Sequence, residues 1–329
     1  MSNKILVSFL IVLFFLSAIS VVCAQEQILI KLGHIMPISD LTGQAADRFA
    51  EELNKRSNGK IKVEVYPAGQ LGGERELLEG LQIETIQMGV IALGLLSLYD
   101  PLANLFVMPY MIRSTKHCEK VWGGPIGEEI FESIRQKAGI RVLPFLLHRG
   151  DRYLTVNKPV YSPGDLKGIK IRVPEDPISI ATWEAFGANP VAMSYTEVFS
   201  ALKQGVIDAQ ENPLSNIYSM GVHQVLKYLV LTGHLRHEDF SFMFNDKFWQ
   251  GLPEDLKTLI LEIAKETQQW AYQELLMEEN LLLGKIVLEG KMDVIYPDIK
   301  AFEKLAREIP KQQFPELMDY YNKIVAVKD

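Results

Sequence analysis

The spacing of apolar positions alternates between strand and helix patterns from residue 27 onward. Residues 27–33 form a first predicted strand, and residues 60–66 form a second one with its apolar side chains on one face. Between them, residues 40–58 carry an amphipathic helical pattern that ends at a glycine. A loop at 67–73 leads into another helix that begins at Glu74. This strand–helix–strand start predicts a parallel sheet covered by helices, and therefore an α/β fold.

A second set of alternating elements begins near residue 140 and predicts a second α/β unit. We place the boundary between the two units near residue 149. The elements of the second set are predicted as strands at 140–147 and 153–156, a strand that stops at Pro174, a helix at 178–186, an extended run at 190–193, a helix at 195–204 and a brief strand at 206–207 that ends at Asp208.

A helical stripe of apolar residues runs through residues 253–289. Its members are Leu256, Ile260, Ile263, Trp270, Leu275, Leu282 and Ile286. A helix over these 37 residues would be roughly 55 Å long. Because this length exceeds a small domain, we expect the helix to brace both units.

Arg172 is the first candidate for ligand chemistry, because it lies close to the end of a predicted strand. In the run 168–174, apolar residues alternate with Lys170 and Arg172 before a proline ends the strand. Open α/β sheets place their ligands at the C-terminal ends of strands. A guanidinium fixed there suits a planar anion, since a carboxylate accepts two parallel N–H bonds. Together with Arg152 and the Gln-Glu-Asn-Pro run at 210–213, it predicts capture of a small organic acid.

The composition of the chain is informative mainly about the classes of binding partner that it excludes. The chain has 329 residues, of which 48% are hydrophobic and 23% are charged, as is typical of a globular protein. The formal net charge is −7 and the sequence has no Lys/Arg block, which predicts no nucleic-acid partner. An acidic chain can still bind an anion, because local arginines set the field within a cleft.

The N-terminus has the features of a secretion signal. Lys4 precedes an apolar stretch over residues 5–22, and Val-Cys-Ala at 22–24 fits the small-x-small cleavage rule. We therefore predict a signal peptide over residues 1–24 and export of the mature chain to the periplasm. An uncleaved membrane anchor is one alternative, since about 18 such residues nearly span a bilayer. Lipidation of Cys23 is a second alternative, in a poor lipoprotein context.

The remaining sequence signals argue against a disulfide, a metal and an enzyme. Removal of the signal peptide leaves Cys118 as the only cysteine, so we expect the core alone to hold the fold. Adjacent residues of a helix point about 100° apart, so Cys118 and His117 are not predicted to form a nucleophile pair. His234 and His237 lie outside a helical context with no further ligand nearby, which predicts no metal. No catalytic or dinucleotide-binding motif occurs, which predicts no enzyme and no cofactor.

Five motifs together resemble the solute-binding proteins of the TRAP (tripartite ATP-independent periplasmic) transporters, of the C4-dicarboxylate-binding type. They occur in the order typical of that family and cover nearly the whole mature chain. The motifs are Pro-Ala-Gly-Gln-Leu-Gly-Gly at 67–73, Asp-Leu-Lys-Gly-Ile-Lys-Ile-Arg-Val-Pro at 165–174, Gly-Ala-Asn-Pro at 187–190, Glu-Val-Phe-Ser-Ala-Leu at 197–202 and Gln-Glu-Asn-Pro-Leu-Ser-Asn-Ile-Tyr at 210–218.

The resemblance implies a two-lobed periplasmic binding protein fold with hinge strands, an inter-lobe ligand cleft and a long bracing helix. Lobe I would comprise residues 25–149 with part of about 238–277, and lobe II residues 150–237 with part of about 278–329. The lobes would close on the ligand by a hinge motion. The closed protein, expected to be a monomer, would then dock on the integral membrane subunits of a TRAP permease.

The resemblance also implies the residues of the ligand site. Arg172 corresponds to the arginine that grips the ligand carboxylate, Arg152 to the second arginine and Asn212 to an asparagine that donates to the same carboxylate. Asn212 could also cap the helix that follows Pro213. Positions that contact the ligand body less uniformly are Glu211, Tyr195, Glu74 and His234. Two further candidates are His34 at the cleft edge and the His148-Arg149 pair, which replaces the commoner aromatic approach to Arg152.

The identity of the organic acid stays open at this point. Glu74, Glu211 and His234 can satisfy hydroxyl groups, which favours a sugar acid (a uronate or an aldonate) over a C4-dicarboxylate. A periplasmic ligand sensor for a receptor kinase or a chemoreceptor is an alternative function with the same fold and the same arginine site. A periplasmic hydrolase is a third candidate, and the missing nucleophile argues against it.

Overall fold

The computed structural model describes residues 27–236 and 239–329. The predicted signal peptide and His237 lie outside the described residues. The strands are β1 (Ile28–His34), β2 (Ile61–Tyr66), β3 (Met88–Ala92), β4 (Ile140–Leu147), β5 (Tyr153–Val156), β6 (Lys170–Val173), β7 (Asn189–Ala192), β8 (Ala209–Asn212), β9 (Tyr228–Val230), β10 (Phe240–Asn245) and β11 (Asp293–Ile295).

The helices surround these strands. They are α1 (Leu41–Arg56), α2 (Glu74–Gln82), α3 (Thr115–Trp122), α4 (Pro125–Ala138), α5 (Pro177–Ala185), α6 (Val198–Lys203), α7 (Leu214–Ser219), α8 (Asp246–Gly251), α9 (Glu254–Gly290), α10 (Ile299–Ala306), α11 (Ile309–Gln313) and α12 (Met318–Ala326). Short 3-10 helices lie at 93–98, 101–107, 163–166, 195–197, 222–224 and 315–317. Within the described residues, no helix is both long enough and apolar enough to cross a membrane.

The described strands form two mixed sheets, and each has its own apolar core. The first sheet has the order β2-β1-β3-β10-β4, in which β1 runs parallel to β2 and β3, as predicted. Its strand β10 comes from much later in the chain and runs antiparallel to both neighbours. The second sheet has the order β11-β9-β5-β8-β6-β7. The predicted α/β fold is therefore confirmed. Antiparallel strands occur where the chain passes from one sheet to the other.

One strand lies elsewhere than the apolar pattern predicts. The brief strand expected at 206–207 is absent from the described structure, and β8 begins two residues later. Ile207 is buried because it packs against Val198 and Ala201 near α6, and not because it enters a sheet. The polar run that follows is the strand instead, buried along its whole length between β5 and β6.

The long helix α9 spans 37 residues, as predicted, and packs against the unit of the first sheet and the unit of the second sheet. Its first half buries Leu256, Ile260 and Ile263 in the core of the first sheet. Its second half buries Leu282 and Ile286 in a cluster with residues that flank β8 and β9. The helix therefore links the two units. If the units move relative to each other, either the helix must bend or one unit must slide along it.

Gly150 lies where the chain crosses from β4 to β5. Its φ of +82° favours glycine, and a Cβ atom there would lie 2.5 Å from Oε1 of Glu279 on α9. A side chain at this position would therefore force the crossing away from α9. The crossing positions Arg149 and Arg152 on either side of this glycine.

Candidate ligand-binding site

A small cavity, lined mostly by buried residues, lies where the units of the two sheets meet. Its volume is about 10 Å³, which is close to the space that one water molecule needs. An organic acid can therefore enter only when the surrounding side chains move apart. The lining residues are Ile35, Met36, Glu74, Ala92, Leu95, Arg149, Arg152, Arg172, Pro174, Tyr195, Asn212 and Phe240.

Arg172 is held at the end of β6 with its side chain buried in the cavity wall. Its Nε and Nη2 atoms donate to the carbonyl oxygen of Met193 at 3.0 and 2.8 Å. This carbonyl fixes the plane of the guanidinium. A guanidinium carries five N–H donors in a rigid fork, so a group fixed in this way can recognise a planar anion.

Arg152 belongs to a buried charged group behind the cavity wall. Its Nε donates to Glu211 Oε2 at 2.5 Å and its Nη2 to Glu211 Oε1 at 2.7 Å. His234 Nε2 lies 3.1 Å from the same Oε2 atom. Burial alone would raise the pKa of Glu211, but the charge of Arg152 and the His234 hydrogen bond outweigh it and lower the pKa to about 2. Glu211 is therefore ionised, and it orients Arg152.

Asn212 begins a chain of side-chain amides and hydroxyls along β8. Its Nδ2 donates to Gln210 Oε1 at 2.5 Å, and Gln210 Nε2 donates to Thr155 Oγ1 at 2.6 Å. These bonds hold Asn212 against the cavity. Among the described residues, no side chain caps α7, so the alternative capping role of Asn212 is not found.

Arg149, which lines the cavity, and Asn216 connect the two units directly. The Arg149 guanidinium carbon lies 4.2 Å from the ring centroid of Phe240, and Nη2 donates to Asn216 Oδ1. Asn216 Nδ2 lies 3.1 Å from the Tyr195 hydroxyl and 3.3 Å from Asp40 Oδ2. Asp40 in turn caps α1 by accepting from the Thr42 amide at 2.9 Å. These contacts tie α7 of the second unit to the start of α1 in the first.

Tyr195 and Glu74 complete the polar part of the lining. Burial, with a further contribution from the charge of Asp40, raises the pKa of Tyr195 to about 12, so its hydroxyl stays protonated. Glu74 opens α2, and its Oε1 accepts from the Ala92 amide at 2.9 Å. The lining of the cavity therefore combines a hydroxyl and a carboxylate with three arginines.

The structure brings six of the ten predicted site residues to the cavity. These are Arg149, Arg152, Arg172, Glu74, Tyr195 and Asn212. Glu211 and His234 lie behind Arg152. Asn216 and Asp40 were missed by the sequence analysis, although Asn216 belongs to the motif at 210–218. An asparagine within a ligand motif is the signal that could have identified it.

His34 and His148 are not among the residues that line the described cavity. His34 ends β1 and is buried beside the loop before α1. His148 Nδ1 lies 2.7 Å from Asp239 Oδ1, on the other side of the chain crossing. Successive residues of an extended segment point to opposite sides, so the crossing that brings Arg149 to the cavity turns His148 away from it.

His34 gives the stability of the protein a pH dependence. Burial lowers its pKa from 6.5 to about 4, and the Met36 backbone only partly opposes this effect. Protonation then favours the unfolded chain, so stability is complete above pH 6.5 and falls as the pH drops toward 4. Between pH 7 and pH 5 the loss should be about 2 kcal/mol. Urea unfolding at both pH values should show a smaller loss for His34→Gln, and an equal loss in both proteins would contradict this assignment.

Comparison with known proteins identifies the family. Residues 32–316 match the family model "Bacterial extracellular solute-binding protein, family 7". A solute-binding protein of Roseobacter denitrificans is 37% identical over 292 residues, which cover 88% of each chain.

Solved structures agree with the sequence match. A TRAP periplasmic solute-binding protein of the same organism with bound L-galactonate has a TM-score of 0.87 and 33% identity, covering 92% of this chain and 100% of that chain. A TRAP periplasmic solute-binding protein of Sulfurospirillum deleyianum with bound succinate has a TM-score of 0.84 and 29% identity, covering 92% of this chain and 99% of that chain. These matches confirm the resemblance found in the five motifs. The chain therefore belongs to family 7 of the bacterial extracellular solute-binding proteins, the family of the TRAP solute-binding proteins.

Proposed function

We propose that this protein binds an organic acid in the periplasm and delivers it to a TRAP permease. The observation that supports this function best is that three arginines converge on one small cavity. Arg149, Arg152 and Arg172 line it, the Met193 carbonyl orients Arg172, and Glu211 orients Arg152. A carboxylate accepts two parallel N–H bonds from a guanidinium, so a wall built in this way suits an organic acid.

The ligand carboxylate is proposed to lie against Arg172, with Arg152 and Asn212 as its other donors. Arg172 is oriented by the Met193 carbonyl, and Arg152 is oriented by Glu211. Because both guanidiniums are held before the ligand arrives, little side-chain entropy is lost on binding. Charge-assisted hydrogen bonds of this kind are about twice as strong as neutral ones.

Ligand entry is proposed to open the contacts between the two units. The cavity of about 10 Å³ is far smaller than a sugar acid, so the described conformation is a closed one. Asn216 holds this form through Asp40 Oδ2 at 3.3 Å and Met36 Sδ at 3.2 Å. The residues of the opened cleft could then exchange these contacts for contacts with the ligand. We propose residues 25–149 with part of about 238–277 and residues 150–237 with part of about 278–329 as the two lobes.

A sugar acid is the proposed ligand class, with a C4-dicarboxylate as the second candidate. Glu74 lines the cavity with its carboxylate, which repels a second ligand carboxylate and accepts from a ligand hydroxyl. Tyr195 adds a protonated hydroxyl to the same wall. The similar structure with L-galactonate supports this choice, while the one with succinate supports the dicarboxylate.

A thermal-shift screen of the purified protein against organic acids tests both points. An aldonate or uronate at a thousand times its Kd should stabilise the protein by about 4 kcal/mol and raise Tm by several degrees. Glu74→Gln should bind the sugar acid more weakly and should tolerate succinate better, since the repelling charge is gone. Tight binding of succinate with no response to any sugar acid would reverse the choice of ligand. No response to any acid, from protein shown by mass spectrometry to be free of retained ligand, would contradict organic-acid capture.

The proposal includes export and the permease partner. It takes residues 1–24 as a cleaved signal peptide and the monomer as the working form. Uptake of the labelled acid into proteoliposomes that hold the permease should depend on this protein. A permease that transports the acid equally well without it would contradict the delivery role and favour a sensor.

A further inference from the structure

Three side chains with metal-binding atoms converge on the opposite side of the chain crossing from the ligand cavity. Cys118 comes from α3, His148 follows β4 and Asp239 precedes β10. All three are buried, and their candidate ligand atoms lie within 4.8 Å of one another. Cys118 Sγ lies 3.2 Å from Asp239 Oδ2, and His148 Nδ1 lies 2.7 Å from Asp239 Oδ1.

The chemistry of these donors is that of a zinc site. Zn²⁺ in proteins is bound by cysteine sulfur, histidine nitrogen and carboxylate oxygen, with four ligands in a tetrahedron. A thiolate, a neutral imidazole and a carboxylate carry two negative charges, so a divalent ion makes the buried group neutral. The sulfur ligand disfavours Mg²⁺ and Ca²⁺, which prefer oxygen ligands.

The present hydrogen bonds show where an ion would lie. The Cys118 thiol donates to Asp239, and the ring nitrogen of His148 shares a hydrogen bond with the same carboxylate. An ion between these atoms would replace the thiol proton, which leaves to solvent as the sulfur–metal bond forms. The imidazole would bind through Nδ1, so the proton that Nδ1 now donates to Asp239 must also leave, and the neutral ring would carry its one proton on Nε2. The ligands therefore need no large rearrangement of the backbone.

An adjoining cavity provides access and the fourth ligand position. It has a volume of about 220 Å³, and its lining includes Cys118, His148 and Glu119. Either the Glu119 carboxylate or a water molecule in this space could complete the tetrahedron. A cavity at one side of three protein ligands is the arrangement of an accessible zinc site.

We propose that Cys118, His148 and Asp239 form a binding site for Zn²⁺ or a chemically similar ion. The site lies on two segments where the chain passes between the sheets, one after β4 and one before β10. Both segments also carry residues of the ligand cavity. His148 is adjacent to Arg149, and Asp239 is adjacent to Phe240. A bound ion would link these two segments to α3, at a distance from the ligand itself. The metal site does not depend on the identity of the organic acid.

Titration of tag-free, chelator-treated protein with Co²⁺ tests the site. One equivalent should bind and produce the near-ultraviolet charge-transfer band of a sulfur–cobalt bond, and Zn²⁺ should displace it. Cys118→Ser should lose this band and should weaken Zn²⁺ binding by roughly 100-fold or more. Circular dichroism of each variant checks that the fold is intact.

His117→Gln is the matched control on the same helix. His117 is the neighbour of Cys118, but its Nε2 lies 3.0 Å from the Ile324 carbonyl oxygen and so points away from the cluster. This variant should keep the cobalt band and the Zn²⁺ affinity. No stoichiometric binding to the parent, or equal Zn²⁺ affinity in Cys118→Ser, would overturn the proposal.

Discussion

Arg172→Ala is expected to abolish binding of the organic acid while the protein stays folded. The guanidinium is buried at the end of β6 and oriented by the Met193 carbonyl. Without it, a ligand carboxylate would be buried in the closed cavity with its main donor missing. Removing one partner of a buried charge pair costs about 3–5 kcal/mol, which is a loss of a hundredfold or more in affinity.

Arg172→Lys is the informative companion to this variant. Lysine keeps the positive charge but loses the planar fork, so it cannot make two parallel bonds to a carboxylate. Its affinity should therefore lie between those of the parent and Arg172→Ala. Isothermal titration with the best acid from the screen measures all three, and Tm without ligand reports on folding. Parent-like affinity in Arg172→Ala would show that the carboxylate binds elsewhere.

Arg152→Ala is expected to have the largest effect on stability. Its partner Glu211 is buried and keeps its charge because Arg152 and His234 hold its pKa near 2. Loss of the arginine leaves a carboxylate that must either stay charged in a dry environment or take up a proton. The expected cost is about 3–5 kcal/mol, measured by urea unfolding at pH 7.

The double variant Arg152→Ala/Glu211→Ala distinguishes the cost of losing the ion pair from the cost of leaving a buried carboxylate without its partner. It removes both ions, so it should be more stable than Arg152→Ala alone even though it deletes more atoms. A lowered carboxylate pKa also implies that the parent gains stability from Glu211 above pH 4.5 and loses it as the pH falls toward 2. A single variant within about 1 kcal/mol of the parent would mean that Glu211 finds another partner.

Local patterns predicted most of the elements. The strands at 140–147 and 153–156 and the long helix lie at or within one residue of their expected bounds. Each of these elements buries one face, so its apolar residues must recur at the spacing that places them on that face. The polar strand β8 was missed because its buried side chains carry no apolar repeat. They are satisfied instead by hydrogen bonds with one another, with Thr155 of β5 and with Arg152.

The candidate site was predicted in part. Arg172 was identified from its place at a strand end, and the structure places it in the wall of a cavity. Its role toward a ligand and the lobe boundaries stay predictions. Arg149 and His148 looked equivalent in the sequence, but one reaches the cavity and the other faces Asp239. The direction of a side chain at a chain crossing depends on the backbone there, which no periodic pattern encodes.

The sequence by itself determined the alternation of strands and helices, the long helix and the family. These depend on neighbours within a few residues or on motifs that can be compared directly. Only the tertiary structure decided which distant residues meet, such as Asn216 with Asp40 and Cys118 with Asp239. Such pairs lie more than a hundred residues apart, and they form because two sheets and α9 pack their apolar faces together. The polar groups left at the junction must then satisfy one another, so their partners follow from the packing and not from their spacing in the chain.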